Sequence, residues 1–152
     1  MDDLQFDPVT PDDADALLDM ARAFHLEDGH PLSAIGEAAV RQVALGEALA
    51  PCWIVRRQNT VSGYFVITLG YSIEYGGRDG FIDDLYLVPE ARGGGRGRRL
   101  LDFVIEQARL LGIGTLHLEV DPVNERARRL YRARGFEDTG RRLLRLRLRD
   151  RP

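Results

Sequence analysis

No lysine occurs in this chain, and all 21 of its basic residues are arginines. A Walker-type phosphate loop, which needs Lys followed by Ser or Thr after its last glycine, is therefore excluded, and no lysine side chain is available for modification. Cysteine is almost as scarce. Cys52 stands alone, so an intrachain disulfide is impossible and a zinc cluster of several thiolates is ruled out. No apolar run reaches the length of a membrane span, and no N-terminal stretch has the make-up of a signal peptide. Cytoplasm is the expected compartment, with no membrane partner. Nor is there an excess of positive charge: 24 acids against 21 bases leave a net charge of -3, which argues against a nucleic-acid specialist. Linkers, repeats and low-complexity segments are also missing. The 152 residues, 44% of them hydrophobic, are expected to form one domain over 1–152 that buries about two thirds of its unfolded surface.

What the chain does have is glycine in one place. Gly93, Gly94, Gly95 and Gly97 fall within five residues. Before them, Phe81 to Val88 is rich in β-branched, aromatic and aliphatic residues, carries Asp83 and Asp84 near its start and stops at Pro89, the pattern of a strand. After them, Arg98, Arg99, Leu100 and Leu101 open a helical pattern. Glycine lets backbone N–H groups approach a ligand with no Cβ in the way, so strand, glycine turn and helix N-terminus together predict an anion site. The dinucleotide fingerprint fits it poorly, because Pro89, Glu90, Ala91 and Arg92 separate strand from glycines.

In chain order, Leu4–Phe6 reads as a short strand, and Thr10, Pro11 and Asp13 as a helix start with a capping box. Ala14, Leu17, Leu18 and Ala21 supply the helix's apolar stripe, extending to Phe24. His25 to Pro31 reads as a loop. Its His25, Glu27, Asp28 and His30 are weighed as metal ligands and set aside, since no further ligand cluster accompanies them and polar loop residues are usually just solvated, so no metal is expected. A second helix is predicted over Ser33–Leu49, then paired strands Trp53–Arg57 and Val61–Ile73 joined at Gln58 and Asn59, and strand Phe81–Val88, making an antiparallel meander. Helix Arg98–Leu111 and a half-buried strand over 116–120 follow. A helix joining two strands permits a parallel pair. Arg141–Arg149 alternates Leu and Arg, predicting a last strand whose arginines face water or a partner.

Three strings resemble the GNAT acetyltransferase superfamily. Arg92-Gly93-Gly94-Gly95-Arg96-Gly97 is similar to its [Q/R]-x-x-G-x-[G/A] turn. NERARRLYRARGF, from Asn124 to Phe136, is similar to its N-x-x-A-x-x-x-Y-x-x-x-G-F segment, and IDDLYLVPEARG to the strand before the turn, most of all in the polyamine and small-amine branch. The resemblance implies an α/β (α+β type) fold: a mixed, mostly antiparallel sheet of about six or seven strands, a splayed parallel pair and about four helices. It implies acetyl-CoA as co-substrate and direct acetyl transfer to an amine. The backbone of Leu87 and Val88 would bind the pantetheine arm. The N–H groups from Gly93 to Arg98 would hold the pyrophosphate, aided by Arg92 and Arg96. Asn124 is a cofactor contact, a helix N-cap, or both.

An alkylamine of pKa about 10.4 is less than ~0.1% neutral at pH 7, so transfer needs a proton acceptor. By position in the family's strand Asp83 matches the residue usually taken as base. Asp84 is the other candidate, and an ordinary Asp would have to act through water, bind the cationic substrate or carry a raised pKa. Adjacent strand residues face opposite sides unless a bulge intervenes. Tyr131 matches the family's proton donor to the thiolate, the plain alternative being a core aromatic packed with Leu130 and Phe136. The resemblance also implies that the region of His25, Glu27, Asp28 and His30 lines the acceptor channel, and the acceptor is expected to be a small, cationic amine. Protein N-terminal or lysine acetylation and a non-catalytic CoA-binding module are the alternatives. The family often dimerises, so a homodimer is an open expectation. Arg92, Arg96, Arg98 and Arg99 lack the interleaved aromatics of a nucleic-acid surface.

Overall fold

The computed structural model describes residues 3–149. They fall into two compact units, residues 1–118 and 119–152. The first unit holds a five-stranded sheet in the order β1-β2-β3-β4-β5. Its elements are β1 (Leu4–Pro8), a 3-10 turn (Pro11–Asp13), α1 (Ala14–Glu27), α2 (Ala34–Ala44), β2 (Cys52–Arg57), β3 (Thr60–Ser72), β4 (Gly77–Leu87), a second 3-10 turn (Pro89–Ala91), α3 (Arg96–Leu110) and β5 (Thr115–His117). Strands β1 to β4 pair antiparallel, and β4 pairs with β5 in parallel. The mixed sheet with one parallel pair is as expected. Five strands among the described residues replace the six or seven anticipated.

Local chemistry sets the boundaries. Asp13 Oδ2 accepts from the Thr10 N–H at 2.9 Å and the Thr10 hydroxyl at 3.2 Å, fixing the entry to α1. That helix runs on to Glu27 and is stopped by Gly29, whose φ of 81° is left-handed. His25 and Glu27 therefore sit on its last turn, not in a loop. Helix α2 starts where the Ser33 hydroxyl accepts from Gly36 N–H, and ends at Ala44 instead of Leu49 because Gly46, at φ 93°, breaks it. Gln58 and Asn59 both have positive φ, 51° and 63°, the signature of a tight two-residue hairpin.

The sheet is covered on both faces. One face, with Cys52, Ile54, Tyr64, Val66 and Tyr86, packs with Leu17, Met20 and Ala21 of α1 and Ala44 of α2. On the other, Phe103 of α3 stacks on Phe6 at 4.1 Å and meets Phe65 edge-on at 5.9 Å, with Leu100, Leu101 and Val104 fully buried beside them. Burial of each such side chain stabilises by about 1.5–3 kcal/mol.

The second unit contains α4 (Glu125–Ala133), begun by Asn124, whose Oδ1 accepts from Ala127 N–H at 3.2 Å. No strand forms over 141–149, contrary to expectation. Leu144, Leu146 and Leu148 are 88%, 82% and 92% exposed. Alternation describes a strand's faces, but a strand also needs a ladder neighbour for its N–H and C=O groups, and this segment has none among the described residues.

Candidate active site

The register of β3 against β4 slips at one step: Val66 pairs with Asp84 while Ile67 pairs with Ile82. Asp83 is the extra residue, a β-bulge. It is exposed, whereas Asp84 is buried, 7% accessible. The bulge gives the two adjacent acids different surroundings.

Beyond the bulge, Val88 N–H donates to Ser62 O at 2.9 Å. Alternation then turns the backbone groups of Leu85 and Leu87 to the opposite edge of β4. On that edge β5 pairs only with Asp79, Gly80 and Phe81, so the ladder stops before the bulge. The expected parallel pair is present and is three residues long. Of Leu87 and Val88, the first faces the open edge and the second commits its amide to β3. Arg92 Nε donates to the Leu87 carbonyl at 2.9 Å.

Next comes the glycine turn. Gly93, Gly94 and Gly95 have φ of 89°, 62° and 83°, a conformation costing an L-residue roughly 1–2 kcal/mol apiece. All three are exposed, and a Cβ added at Gly93 or Gly95 would meet nothing within 4 Å. Helix α3 starts directly afterwards, its ladder entered by Arg99 N–H donating to Gly95 O at 3.0 Å. The amides of Gly97 and Arg98 belong to the first turn, which has no intrahelical acceptor for them. The turn, the N-terminal dipole and the open β4 edge fit an extended molecule carrying a diphosphate.

The neighbouring arginine side chains are engaged elsewhere. Arg92 bonds Glu27 at 2.8 Å and lies over the Tyr86 ring. Arg96 holds Asp3 at 2.9 Å, and Arg57 holds the same carboxylate at 2.6 Å. Those hydrogen bonds, that of Arg96 first, keep Asp3 well below the usual carboxylate range. Arg92 and Arg96 thus brace the turn against α1 and the N-terminal strand. Arg98 is exposed.

A second cluster lies on the α1 face of the sheet. Asp84 Oδ2 accepts from Tyr64 OH at 2.7 Å and lies 3.0 Å from His25 Nε2. The hydrogen bond to Asp84 raises the His25 pKa above 6.5 despite partial burial, with smaller help from the charges of Asp84, Asp83 and Asp28. Burial, then the charge of Asp84, drives the Tyr64 phenol far up, so it remains a donor. The same two effects push the Cys52 thiol up to about 12, which removes it as a nucleophile at neutral pH. Sequence reasoning missed this cluster, because His25 and Asp84 are 59 positions apart. The one available signal was the Tyr64 phenol directly before the apolar run Phe65-Val66-Ile67, since a buried phenol needs a partner.

The raised His25 pKa has a stability consequence. The contribution is complete below pH about 6.5, the unfolded value, and is lost as pH rises through the higher folded value. Urea midpoints measured from pH 5.5 to 8.5 are expected to show this decline in the wild type and to lose it in Asp84→Asn; equal slopes would refute the coupling.

Among the described residues no group of three or more His, Cys, Asp or Glu is placed to hold a metal ion, and no helix is long and apolar enough to cross a membrane. In the second unit, Tyr131 meets Phe136 edge-on at 5.7 Å, and Asn124 caps α4.

The model of the acetyltransferase (GNAT) family matches residues 15–136. An IAA acetyltransferase of Azospirillum brasilense is 37% identical over 87 residues, 57% of this chain and 54% of that protein. A thialysine N-epsilon-acetyltransferase of Bos taurus is 37% identical over 95 residues, 62% of this chain and 51% of that protein. The chain spans about half the length of these curated relatives. An integron cassette protein from the Cole Harbour Salt Marsh metagenome superposes with a TM-score of 0.79 at 32% identity, over 96% of this chain and 91% of that one.

Proposed function

Because the chain belongs to the acetyltransferase (GNAT) family, we propose that it moves acetyl from acetyl-CoA directly to a primary amine of a small, cationic acceptor. The observation that carries this reading is three consecutive left-handed glycines, exposed at the start of α3 and next to the open edge of β4. The amides of Gly93, Gly94, Gly95, Gly97 and Arg98 hold the diphosphate, and the backbone of Leu87 receives the pantetheine arm. Acetyl-CoA supplies the thioester. Asp83, bulged and exposed, binds the acceptor's ammonium, with Asp28 adding negative charge at the end of α1. The relative named for thialysine acetylation agrees with a cationic acceptor, while the one named for IAA points to no single acceptor.

Tyr131 is assigned the proton donor to the departing thiolate. A phenol near pKa 10 is still protonated at pH 7 and gives its proton to a thiolate of pKa about 8.5 at an expense of only about 2 kcal/mol. Tyr131→Phe is expected to lower kcat about a hundredfold and to leave the Kd for CoA unchanged; full turnover in the variant removes Tyr131 from this role.

The activity is tested by mixing acetyl-CoA with polyamines, arylalkylamines, aminoglycosides and peptides while following free thiol. Release with the polyamines or other small cations supports the proposal. Release only with peptides makes the protein a peptide or protein acetyltransferase, and CoA binding without release makes it a binding module.

A further inference from the structure

Asp84 is poorly placed to take a proton from an acceptor. Its side chain is 9% exposed, and its Oδ2 already receives the Tyr64 hydroxyl and faces His25. His25 differs on both counts: its side chain is 26% exposed, and among the described residues only its Nε2 has a hydrogen-bond partner. A carboxylate with a phenol already donating to it can only accept from the ring, so Nε2 bears the hydrogen. In the neutral ring the lone pair is then on Nδ1. We propose that His25 is the general base for the acceptor amine, held in this tautomer by Asp84, which is itself fixed by Tyr64. This rests on the acetyl-transfer reading above.

Magnitudes favour imidazole over carboxylate. Moving a proton from an amine of pKa about 10.4 to an ordinary Asp is uphill by about 6.5 decades, but to an ordinary imidazole by only about 4. Charged groups facing the ring come from two elements: Asp84 and Asp83 from β4, and Asp28 from the end of α1, with the neutral Tyr64 of β3 behind Asp84. Their negative charge favours the imidazolium and narrows the gap further. Phe24 packs edge-on against the ring at 5.1 Å and limits its rotation.

The step balances as follows. An ammonium N–H bond breaks, its electron pair stays on nitrogen, and the proton bonds to Nδ1. The neutral amine attacks the thioester carbonyl carbon, the C–S bond breaks with its pair on sulfur, and the nitrogen's second proton passes to the thiolate. The imidazolium returns its proton to water.

The test is a pH profile of kcat/KM for wild type, His25→Gln and Asp84→Asn, with CoA affinity measured by calorimetry and the wild-type imidazole titrated by NMR. Wild-type activity should rise with pH through a pKa equal to that of the His25 ring. Gln keeps the bond to Asp84 but accepts no proton, so kcat should fall about 100- to 1000-fold, the limb should vanish and CoA affinity should hold. Asp84→Asn removes the anion facing the ring and should move the limb to lower pH. A wild-type limb that does not coincide with the His25 titration, or a His25→Gln profile like the wild type's, overturns this proposal alone. A wild type that binds CoA but acetylates no amine overturns it together with the reading beneath it.

Discussion

Gly95→Asp is expected to bind CoA about 30- to 150-fold more weakly than Gly95→Asn, while folding at least as well. Gly95 stands at the N-terminus of α3 with φ 83° and ψ 5°. Asn and Asp are the L-residues that best tolerate this region and have nearly the same shape, so both variants carry the same backbone strain. A Cβ there meets nothing within 4 Å, so neither is excluded sterically by the chain. What differs is one negative charge. For the folded protein it is favourable, because a carboxylate at a helix N-terminus interacts well with the dipole. For a bound diphosphate it is repulsive, by about 2–3 kcal/mol at roughly 5–7 Å and an effective dielectric near 20. Stability and affinity should therefore move in opposite directions. Raising the salt from about 0.05 to 0.5 M should narrow the affinity gap through screening. Equal CoA affinities for the two variants would remove the diphosphate from this turn.

The same turn shows what a sequence conveys about a site. Four glycines between a strand and a helix are a local pattern, and their conformation follows from local sterics, so their place in the fold was legible. So were the capping box at Thr10 and Asp13, the hairpin at Gln58 and Asn59, and the helix opened by Asn124. The pairing of β2 with β3 was legible because two β-forming runs on either side of a two-residue turn are a property of the segment itself. Extents were less so. Helix α2 loses its last turn to Gly46, a single residue whose left-handed φ outweighs the apolar pattern beyond it. The Leu and Arg alternation of 141–149 gives two consistent faces, but nothing in that pattern supplies the neighbouring strand.

Partners distant in sequence left no trace in it. The family resemblance implied that Arg92 and Arg96 aid the diphosphate, and nothing local to them announced that Glu27 and Asp3, 65 and 93 positions away, receive their side chains. Likewise, two adjacent aspartates look interchangeable until the register of β3 against β4 is known. The bulge at Asp83 is a relation between strands, and it makes Asp83 an exposed charge and Asp84 a buried anchor for Tyr64 and His25.

Gly63→Ala should lower stability by about 2–4 kcal/mol and Tm by about 5–15 °C. Gly63 pairs with Leu87 across β3 and β4. A Cβ there would stand 2.3 Å from the Tyr86 carbonyl oxygen, 2.9 Å from Leu87 Cδ2 and 3.3 Å from Leu87 Cα. The leucine methyl can rotate away, but the carbonyl belongs to the backbone. Relief requires the strands to part by about 1 Å, weakening ladder bonds that contribute about 0.5–1.5 kcal/mol each. One of these, Val88 N–H to Ser62 O, is a residue away. The same displacement carries Leu87, whose backbone faces the open edge, out of line with the glycine turn, so CoA affinity should fall even in the fraction that remains folded. Gly114→Ala is the control, since its Cβ would lie 3.8 Å from its nearest neighbour, the Arg78 carbonyl oxygen, and should change stability by less than about 0.5 kcal/mol. Thermal unfolding of the two variants with calorimetry against CoA decides the matter. If Gly63→Ala melts with the wild type and binds CoA as tightly, then β3 and β4 are not held at the separation on which the edge of Leu87 depends.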